Sequence, residues 1–365
     1  MIKKNTLNEK PLIGFFNLFY NFGETCRSIR IAQRYIESGG KAIFFSHGGR
    51  YEHMAKDIGC EVIRVKPIYN DEIIELFWAC SRAETFKKPF SKSFLNEHIT
   101  EEIKAIKNSK IKMLVSTNNF PSSISARAAG VPLIAVTPQV KKYFTTYPED
   151  AEFFFTRLIP NAIKLRFLNW YFPRSKTWVK PFIKVGKKYN VKSFKVGRDT
   201  MLGDYNFYVD CIEFFGIDKS SIPPNDYYVG HDFLDELYNL SLDKKRVLKE
   251  EKELENHIKR KGKSILLSLG SSGTKEIFIK ILKALNKTDY NVIAVYTCVV
   301  DEKDLPKVNE NILLKEFVPS MKKLNGMVDL AIIHGGKSTV YTAAYSGKPV
   351  IGFPMQFDHW IVLSV

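Results

Sequence analysis

Short apolar runs alternate with amphipathic helix-like patterns along the first half of the chain. Five runs have the length and the β-branched or aromatic content of buried strands, at 12–16, 42–45, 61–65, 113–116 and 133–136. The segments between them repeat apolar residues at the helical period, at about 24–38, 50–58, 71–83, 91–108 and 121–129. Glycines at 39, 40, 59 and 130 follow these helices, where glycine commonly ends a helix. This alternation predicts a parallel sheet with helices on both faces.

The second half continues the alternation and indicates a second sheet. Runs at 205–209 and 226–229 would complete the first sheet, and a charged stretch at 232–263 separates it from five further runs. These lie near 264–269, 291–297, 311–316, 328–333 and 349–353. We therefore predict an α/β chain of two Rossmann-like lobes, 1–231 and 264–365, joined by a helix-rich connector at 232–263 with a solvated surface.

The densest polar pattern follows the strand-like run at 328–333. There the letters HGGKST, at 334–339, place a tight turn before a helix that ends at Tyr345. Glycines allow a ligand to approach the main chain closely, and Ser338 and Thr339 fall in the first turn of the helix. Free N–H groups and the positive end of the helix dipole favour an anion at that position. The turn is therefore predicted to bind a diphosphate.

A second polar group, Pro354, Asp358 and His359, follows the last strand-like run. Ligands of open α/β sheets bind beyond the carboxyl ends of the strands. Both polar groups are therefore expected to face one crevice.

From His334 to His359 the chain resembles the signature of the UDP-glycosyltransferases of the two-lobed GT-B fold. The resemblance consists of HGG, a helix followed by GKP, a strand, and then FPMQFD. A second HGG, at 47–49, lacks these following features and is predicted to be a structural turn after the second strand. Upstream, SILLSLGSSG at 264–273 is similar to the first strand and glycine-serine loop of the family's nucleotide lobe, and EFVP at 316–319 is similar to the segment that frames the nucleobase.

The resemblance implies a donor site in the second lobe and an acceptor site in the first. Phe317 would stack on the base, the backbone of Val318 would bond it, and Asp358 with His359 would hold sugar hydroxyls. The donor-binding set that the resemblance implies is Gly270, Ser271, Phe317, Val318, His334, Gly335, Gly336, Ser338, Thr339, Thr342, Pro354, Asp358 and His359.

Two departures from the family pattern concern the chemistry. The family's general base is commonly a histidine after the first strand, and here Glu24 follows Gly23 at that place. A buried carboxylate can act as a base, although the helix dipole at the same position would lower its pKa. Arg27 and Arg30 could pair with Glu24 or bind an acceptor phosphate. Thr342 stands where the family has a glutamate that accepts from the ribose hydroxyls, and it can make only one such bond.

Composition agrees with two ordinary domains, since 365 residues with 45% apolar content can bury two cores. The five cysteines have neither metal-ligand spacing nor a pairing pattern, which favours a reducing cytoplasm with all five buried. No run reaches the roughly 18 apolar residues of a membrane span.

Since no Asp-x-Asp-like cluster appears, we expect no metal, and no cofactor beyond the UDP-sugar as co-substrate. The helix terminus and His334 would then support the leaving diphosphate.

Charge singles out residues 141–198, which hold 14 Lys and Arg against three acidic residues within a chain of net charge +16. Aromatic residues are interleaved with these cations. The aromatics could form the core and an acceptor pocket while the lysines face water. The pattern also suits an anionic membrane surface. Nucleic acid is not among the partners that we predict.

The chain ends at Val365, seven residues after Asp358, so we expect a short or truncated second lobe covered by an oligomer or a partner chain. The predicted function is transfer of a hexosyl group from a UDP-sugar to the hydroxyl of an unknown acceptor, which could be lipid-linked or membrane-associated. The predicted location is the cytoplasm, either free or peripherally at a membrane. A non-catalytic sugar-nucleotide-binding subunit and a sugar-nucleotide epimerase on the same fold are the alternatives.

Overall fold

The structure, a computed structural model, describes residues 10–82, 84–85, 87–137, 158–171, 174–191, 194–231, 244–297 and 299–364. The chain separates into two compact units, and the main division falls between Gly230 and His231. Among the helices of these ranges, none has both the length and the apolar content needed to cross a bilayer.

The first unit contains a parallel sheet of seven strands. The strands are β1 Leu12–Asn17, β2 Lys41–Ser46, β3 Glu61–Arg64, β4 Met113–Thr117, β5 Leu133–Thr137, β6 Tyr205–Tyr208 and β7 Asp226–Tyr228. The helices are α1 Phe22–Glu37, α2 His53–Asp57, α3 Asp71–Ser81, α4 Lys92–Ser109, α5 Ser122–Ala129, α6 Asn161–Tyr171 and α7 Lys180–Lys188. The strand order is β3-β2-β1-β4-β5-β6-β7. Strands β2 and β3 lie on one side of β1 and strands β4 to β7 on the other, so the strand order reverses between β1 and β4.

The second unit contains a parallel sheet of five strands. The strands are β8 Ser264–Ser268, β9 Asn291–Val295, β10 Ile312–Lys315, β11 Leu330–Ile333 and β12 Val350–Gly352. The helices are α8 Lys244–Ile258, α9 Lys275–Leu285, α10 Met321–Met327, α11 Lys337–Tyr345 and α12 Phe357–Leu363. The strand order is β10-β9-β8-β11-β12, which places the reversal between β8 and β11.

The inner strands of each sheet are mostly buried on both faces, as expected for parallel sheets covered by helices, whereas the edge strands β3, β7, β10 and β12 are partly exposed. In β1, Phe15 and Phe16 are each 1% exposed and lie against the second strand, where Phe15 stacks on Phe44 and Phe16 on Phe45. In the second unit, residues of β8, β9 and α9 form one core that includes Leu267, Phe278 and Leu282. Each unit therefore has an apolar core of its own.

The predicted α/β class, the two parallel sheets and all twelve strand positions are confirmed. The strand predicted at 328–333 begins only at Leu330, because the Val328 amide still donates to Leu324 O at 3.2 Å and ends α10. Glycines 39, 59 and 130 follow helices with positive φ angles, as predicted. The second HGG is a turn after β2, in which Gly48 and Gly49 have φ angles of +101° and +140°.

The charged connector contains the predicted surface helix, and one side of this helix packs on its own unit. Residues 232–243 lie outside the described ranges, and α8 belongs to the second unit. One face of α8 buries Leu254 and His257, and Glu251 and Glu253 pair with Lys323 and Lys315 at 2.9 and 3.0 Å. These ion pairs and the buried face therefore hold α8 against the second unit.

The predicted burial of the cysteines holds only in part. Cys26 and Cys60 are buried, whereas Cys80 and Cys211 are half-buried. Cys298 lies outside the described residues.

Candidate functional site

The reversal point of the second sheet brings two of the predicted loops together. β8 and β11 are neighbours, with Ser268 paired to Ile333 at the ends of the strands. The loop that begins at Leu269 and the turn that begins at His334 therefore leave adjacent strands at the same edge. This is the position at which open α/β sheets bind ligands.

The His334 ring fills the space between these loops. His334 is 6% exposed, and a Cβ atom added to Gly270 or Gly336 would lie 2.4 Å from its Cε1 or 2.1 Å from its Nε2. Gly270 also has a φ angle of +56°, which disfavours other residues. The two glycines are thus required to accommodate the protein's own imidazole. This steric requirement is additional to the access for a phosphate that the sequence suggested.

Burial, reinforced by the neighbouring His359, lowers the pKa of His334 to about 3. The ring is therefore neutral near pH 7, and it can support a diphosphate with an N–H hydrogen bond but not with a positive charge. Its Nδ1 atom is buried and has no hydrogen-bond partner among the residues that the structure describes.

The helix that follows the turn begins without a side-chain cap. Gly336 is the N-cap residue of α11, and as a glycine it has no side chain that could accept a hydrogen bond from the first turn. The Thr339 hydroxyl donates to Gly336 O at 2.7 Å, whereas the Ser338 hydroxyl has no partner in the described part of the chain. Amides at a helix start need an acceptor, and an anion satisfies them well.

Thr342 points into the unit. It is 4% exposed, and its hydroxyl donates to Thr339 O at 2.9 Å and accepts from Asn325 Nδ2 at 3.2 Å. Both hydrogen-bonding roles of the hydroxyl are therefore used internally, where α10 and α11 pack together.

The second polar group lies after β12, next to the turn. His359 is 3% exposed, its ring meets the His334 ring edge to face at 4.9 Å, and its Nδ1 accepts from the Met355 amide at 3.3 Å. Burial lowers the pKa of His359 to about 3. Asp358, the second residue of α12, is exposed. Although the residue as a whole is exposed, desolvation raises the pKa of the Asp358 carboxyl group. Of this predicted pair, the imidazole supports the turn.

The remaining predicted donor residues are distributed along the same edge. Phe317 and Val318 follow β10 at one end of the sheet, and Pro354 follows β12 at the other. Phe317 is half-buried and Val318 is 5% exposed. Ser271 lies in a short 3₁₀ segment after β8. All of these segments leave parallel strands at their carboxyl ends.

Glu24 lies at the corresponding reversal point of the first sheet. It occupies the first turn of α1, directly after β1, and Asn118 of the loop after β4 donates to Glu24 Oε1 at 2.6 Å. Arg27 Nη1 lies 3.7 Å from the same oxygen. Asn118 has a φ angle of +58°, which is uncommon outside glycine and often found at functional sites.

Asn118 is a site residue that sequence reasoning missed. Its signal is weak, an Asn-Asn pair after a strand, whereas its bond to Glu24 spans 94 residues. Beneath it, Asn17 accepts hydrogen bonds from the Ser28 and Thr117 hydroxyls at 3.0 and 2.8 Å. This buried network joins β1, α1 and β4, and it fixes the loops that carry Glu24 and Asn118.

Across the described residues, no three or more His, Cys, Asp or Glu side chains are grouped in a way that could hold a metal ion. The polar clusters consist instead of helix-start amides, neutral imidazoles and one carboxylate with an amide partner.

Two parallel sheets, each with its polar residues at the reversal point, define the class of the molecule as the GT-B fold of glycosyltransferases. Solved structures confirm this fold. The glycosyltransferase of kitacinnamycin matches 97% of this chain and 83% of its own, with a TM-score of 0.59 and 15% identity. The calicheamicin glycosyltransferase CalG4 matches 94% and 79%, with a TM-score of 0.59 and 13% identity. Glycosyltransferase VinC, solved in complex with DTDP, matches 97% and 84%, with a TM-score of 0.57 and 13% identity.

Sequence comparison supports the same class. Residues 245–361 match the glycosyltransferase family 28 C-terminal domain. The chain is also 25% identical over 287 residues to the PGL/p-HBAD biosynthesis glycosyltransferase of Mycobacterium tuberculosis strains H37Ra and H37Rv. That match covers 72% of this chain and 59% of the relatives, so the chain spans about three fifths of their length. The resemblance to GT-B glycosyltransferases inferred from the sequence is thus confirmed.

Proposed function

We propose that this protein transfers a hexosyl group from a UDP-sugar to an acceptor hydroxyl. The family 28 match over residues 245–361 and the GT-B neighbours support glycosyl transfer. The observation that carries the donor assignment is the uncapped start of α11, which directly follows the turn at 334–336 and adjoins the loop after β8. A nucleoside diphosphate supplies the negative charge that such a helix start binds.

The donor diphosphate would accept hydrogen bonds from the first amides of α11 and from the Ser338 hydroxyl. His334 would hold the two loops in place and, being neutral, would contribute at most an N–H bond. Asp358 would contact the sugar hydroxyls. The helix start thereby stabilises the charge that develops on the diphosphate as the bond to the sugar breaks.

Glu24 is the proposed base in the first unit. Its carboxylate would take the proton of the acceptor hydroxyl while the acceptor oxygen attacks the anomeric carbon and UDP departs. Asn118 donates to Oε1 and so holds the carboxylate in one orientation, which leaves Oε2 to receive the proton. Asn118 therefore acts as a positioning residue.

Calorimetric titration with UDP, dTDP and a panel of UDP-hexoses, together with turnover assays, tests the proposal. We expect UDP binding by the wild type and by Glu24→Gln alike, and a loss of turnover of about 100-fold or more in the variant, the usual contribution of a general base. Glu37→Gln is the matched control, because Glu37 ends the same helix and pairs only at the surface with Arg34 at 3.1 Å. This control should keep full turnover.

The other functions give different results in the same assays. Binding of UDP-sugars without transfer or hydrolysis across an acceptor panel would identify a non-catalytic subunit. Interconversion of the donor sugar without acceptor would identify an epimerase. If dTDP but not UDP bound, the donor nucleotide would be wrong while the transfer chemistry stood. If no nucleoside diphosphate bound, the whole assignment would fail.

A further inference from the structure

Helix α6 exposes a row of large apolar side chains. Ile163, Phe167, Trp170 and Tyr171 recur at the spacing that places residues on one side of a helix, and they are 63%, 53%, 58% and 38% exposed. Phe167 stacks on Tyr171 with ring centroids 5.6 Å apart, and Trp170 lies 6.2 Å from Phe167. A helix of a soluble domain normally turns such a stripe toward the core. In α6 the stripe faces solvent, whereas Lys164 on another side is only 3% exposed.

The next helix presents a row of cations. Lys180, Lys184, Lys187 and Lys188 of α7 are all exposed and share one side, opposite the buried Phe182 and Val185. Residues 162–198 contain 11 Lys and Arg and no Asp or Glu. Within this segment the cations therefore have no local acidic partners, and the surface attracts anions.

Contacts join the end of α6 to the segment that leads into α7. The hydroxyl groups of Tyr171 and Thr177 lie 3.2 Å apart, at the junction between the helices. Hydrogen bonds from Ser175 and Thr177, with the nearby charge of Lys180, lower the pKa of Tyr171. Arg174 donates to Trp170 O at 3.0 Å, and its guanidinium lies 6.0 Å from the Trp170 ring centroid.

We propose that the apolar row of α6 and the lysine row of α7 dock the first unit on the surface of an anionic lipid bilayer. Tryptophan and tyrosine favour the boundary between acyl chains and headgroups, and lysine and arginine beside them meet the lipid phosphates. A nucleic acid would satisfy the lysines but would leave Ile163 and Phe167 without apolar contacts. One helix of 11 residues is also a small surface for a stable protein dimer. The proposal concerns binding alone and does not depend on the transferase activity.

Sedimentation with vesicles tests this surface. The full chain should pellet with vesicles of phosphatidylcholine and phosphatidylglycerol at low ionic strength, and stay in the supernatant with phosphatidylcholine alone. Because a net charge of +16 by itself attracts anionic vesicles, the decisive variants leave the charge unchanged. We expect Phe167→Ser with Trp170→Ser to lower partitioning at least about tenfold. Leu248→Ser, which removes a side chain of 66% exposure in α8, should have no effect.

Charge-reversal pairs test the lysine row with equal changes in net charge. Lys180→Glu with Lys184→Glu should weaken binding much more than Lys283→Glu with Lys287→Glu, which has the same spacing on the exposed side of α9 and just beyond it. Tryptophan fluorescence should shift to shorter wavelength with anionic vesicles, and Trp170→Phe should remove the shift. Equal weakening by both charge pairs, or unchanged binding of the Phe167 and Trp170 double variant, would overturn the proposal. A dimer that depends on Phe167 and Trp170, without vesicle binding, would show that a second copy is the partner.

Discussion

Gly336→Ala separates the role of the turn at 334–336 from that of its neighbours. Gly336 has a φ angle of −59°, so alanine meets no backbone strain there and the added Cβ alone causes the effect. This Cβ would lie 2.1 Å from His334 Nε2, about 1.3 Å short of the 3.4 Å at which ordinary contact begins. Because the ring is buried, it has to move together with the loop that contains Gly270. Overpacking of this kind costs about 1–3 kcal/mol of unfolding free energy.

The same displacement should weaken nucleotide binding. A shift of this size takes amide-to-phosphate hydrogen bonds beyond their normal length. Loss of one or two bonds to a charged group, at roughly 1.5 kcal/mol each, lowers UDP affinity by about 10- to 100-fold. Urea unfolding measures the first quantity and calorimetric titration of the folded protein measures the second.

Two further variants make the comparison sharp. Gly326→Ala in α10 is the control, because its added Cβ meets no heavy atom within 4 Å. Alanine there should leave UDP affinity unchanged and could raise the unfolding free energy by up to about 1 kcal/mol. Ser338→Ala removes a hydroxyl without a partner in the described part of the chain, and should lower UDP affinity at constant stability. Wild-type affinity in Gly336→Ala would refute the reasoning.

Three more expectations follow from the buried polar groups. His334 and His359 have pKa values lowered from 6.5 to about 3, so their contribution to stability is complete above pH 6.5 and is lost as the pH falls toward 3. Each should lower the unfolding free energy by up to ~1.4 kcal/mol per pH unit in that window. Urea unfolding at pH 7, 6 and 5 should therefore show that the unfolding free energy of His359→Gln falls less steeply with decreasing pH than that of the wild type. An equally steep fall would contradict the burial argument. Thr342→Val removes two internal hydrogen bonds, at about 0.5–1.5 kcal/mol each, and should cost about 1–3 kcal/mol of unfolding free energy with unchanged UDP affinity; reduced affinity at constant stability would instead indicate a ribose contact. Asn118→Gly keeps the left-handed backbone accessible but removes the bond to Glu24, and should reduce kcat about tenfold with little change in stability, whereas full activity would exclude a positioning role.

The local features of this structure could be predicted from the sequence. All twelve strands, the helix at 337–345 and the glycines that end helices follow from short-range patterns, because period, apolar content and positive φ are properties of neighbouring residues. The signature from His334 to His359 likewise occupies one continuous stretch, so it identified the GT-B class. Helices α6 and α7 escaped prediction, since the apolar positions of α6 do not face a core and α7 is short and lysine-rich.

Only the tertiary structure decided what the polar residues do. Asn118 reaches Glu24 because β1 and β4 are neighbours at the reversal point of the first sheet, although 94 residues separate the two side chains. Strand order also brings Gly270 against the His334 ring, so that a residue expected to support the leaving diphosphate is buried and neutral. Thr342 is turned inward by the packing of α10 on α11. Burial, protonation and hydrogen-bond partners depend on contacts between distant segments, and no local pattern in the sequence encodes them.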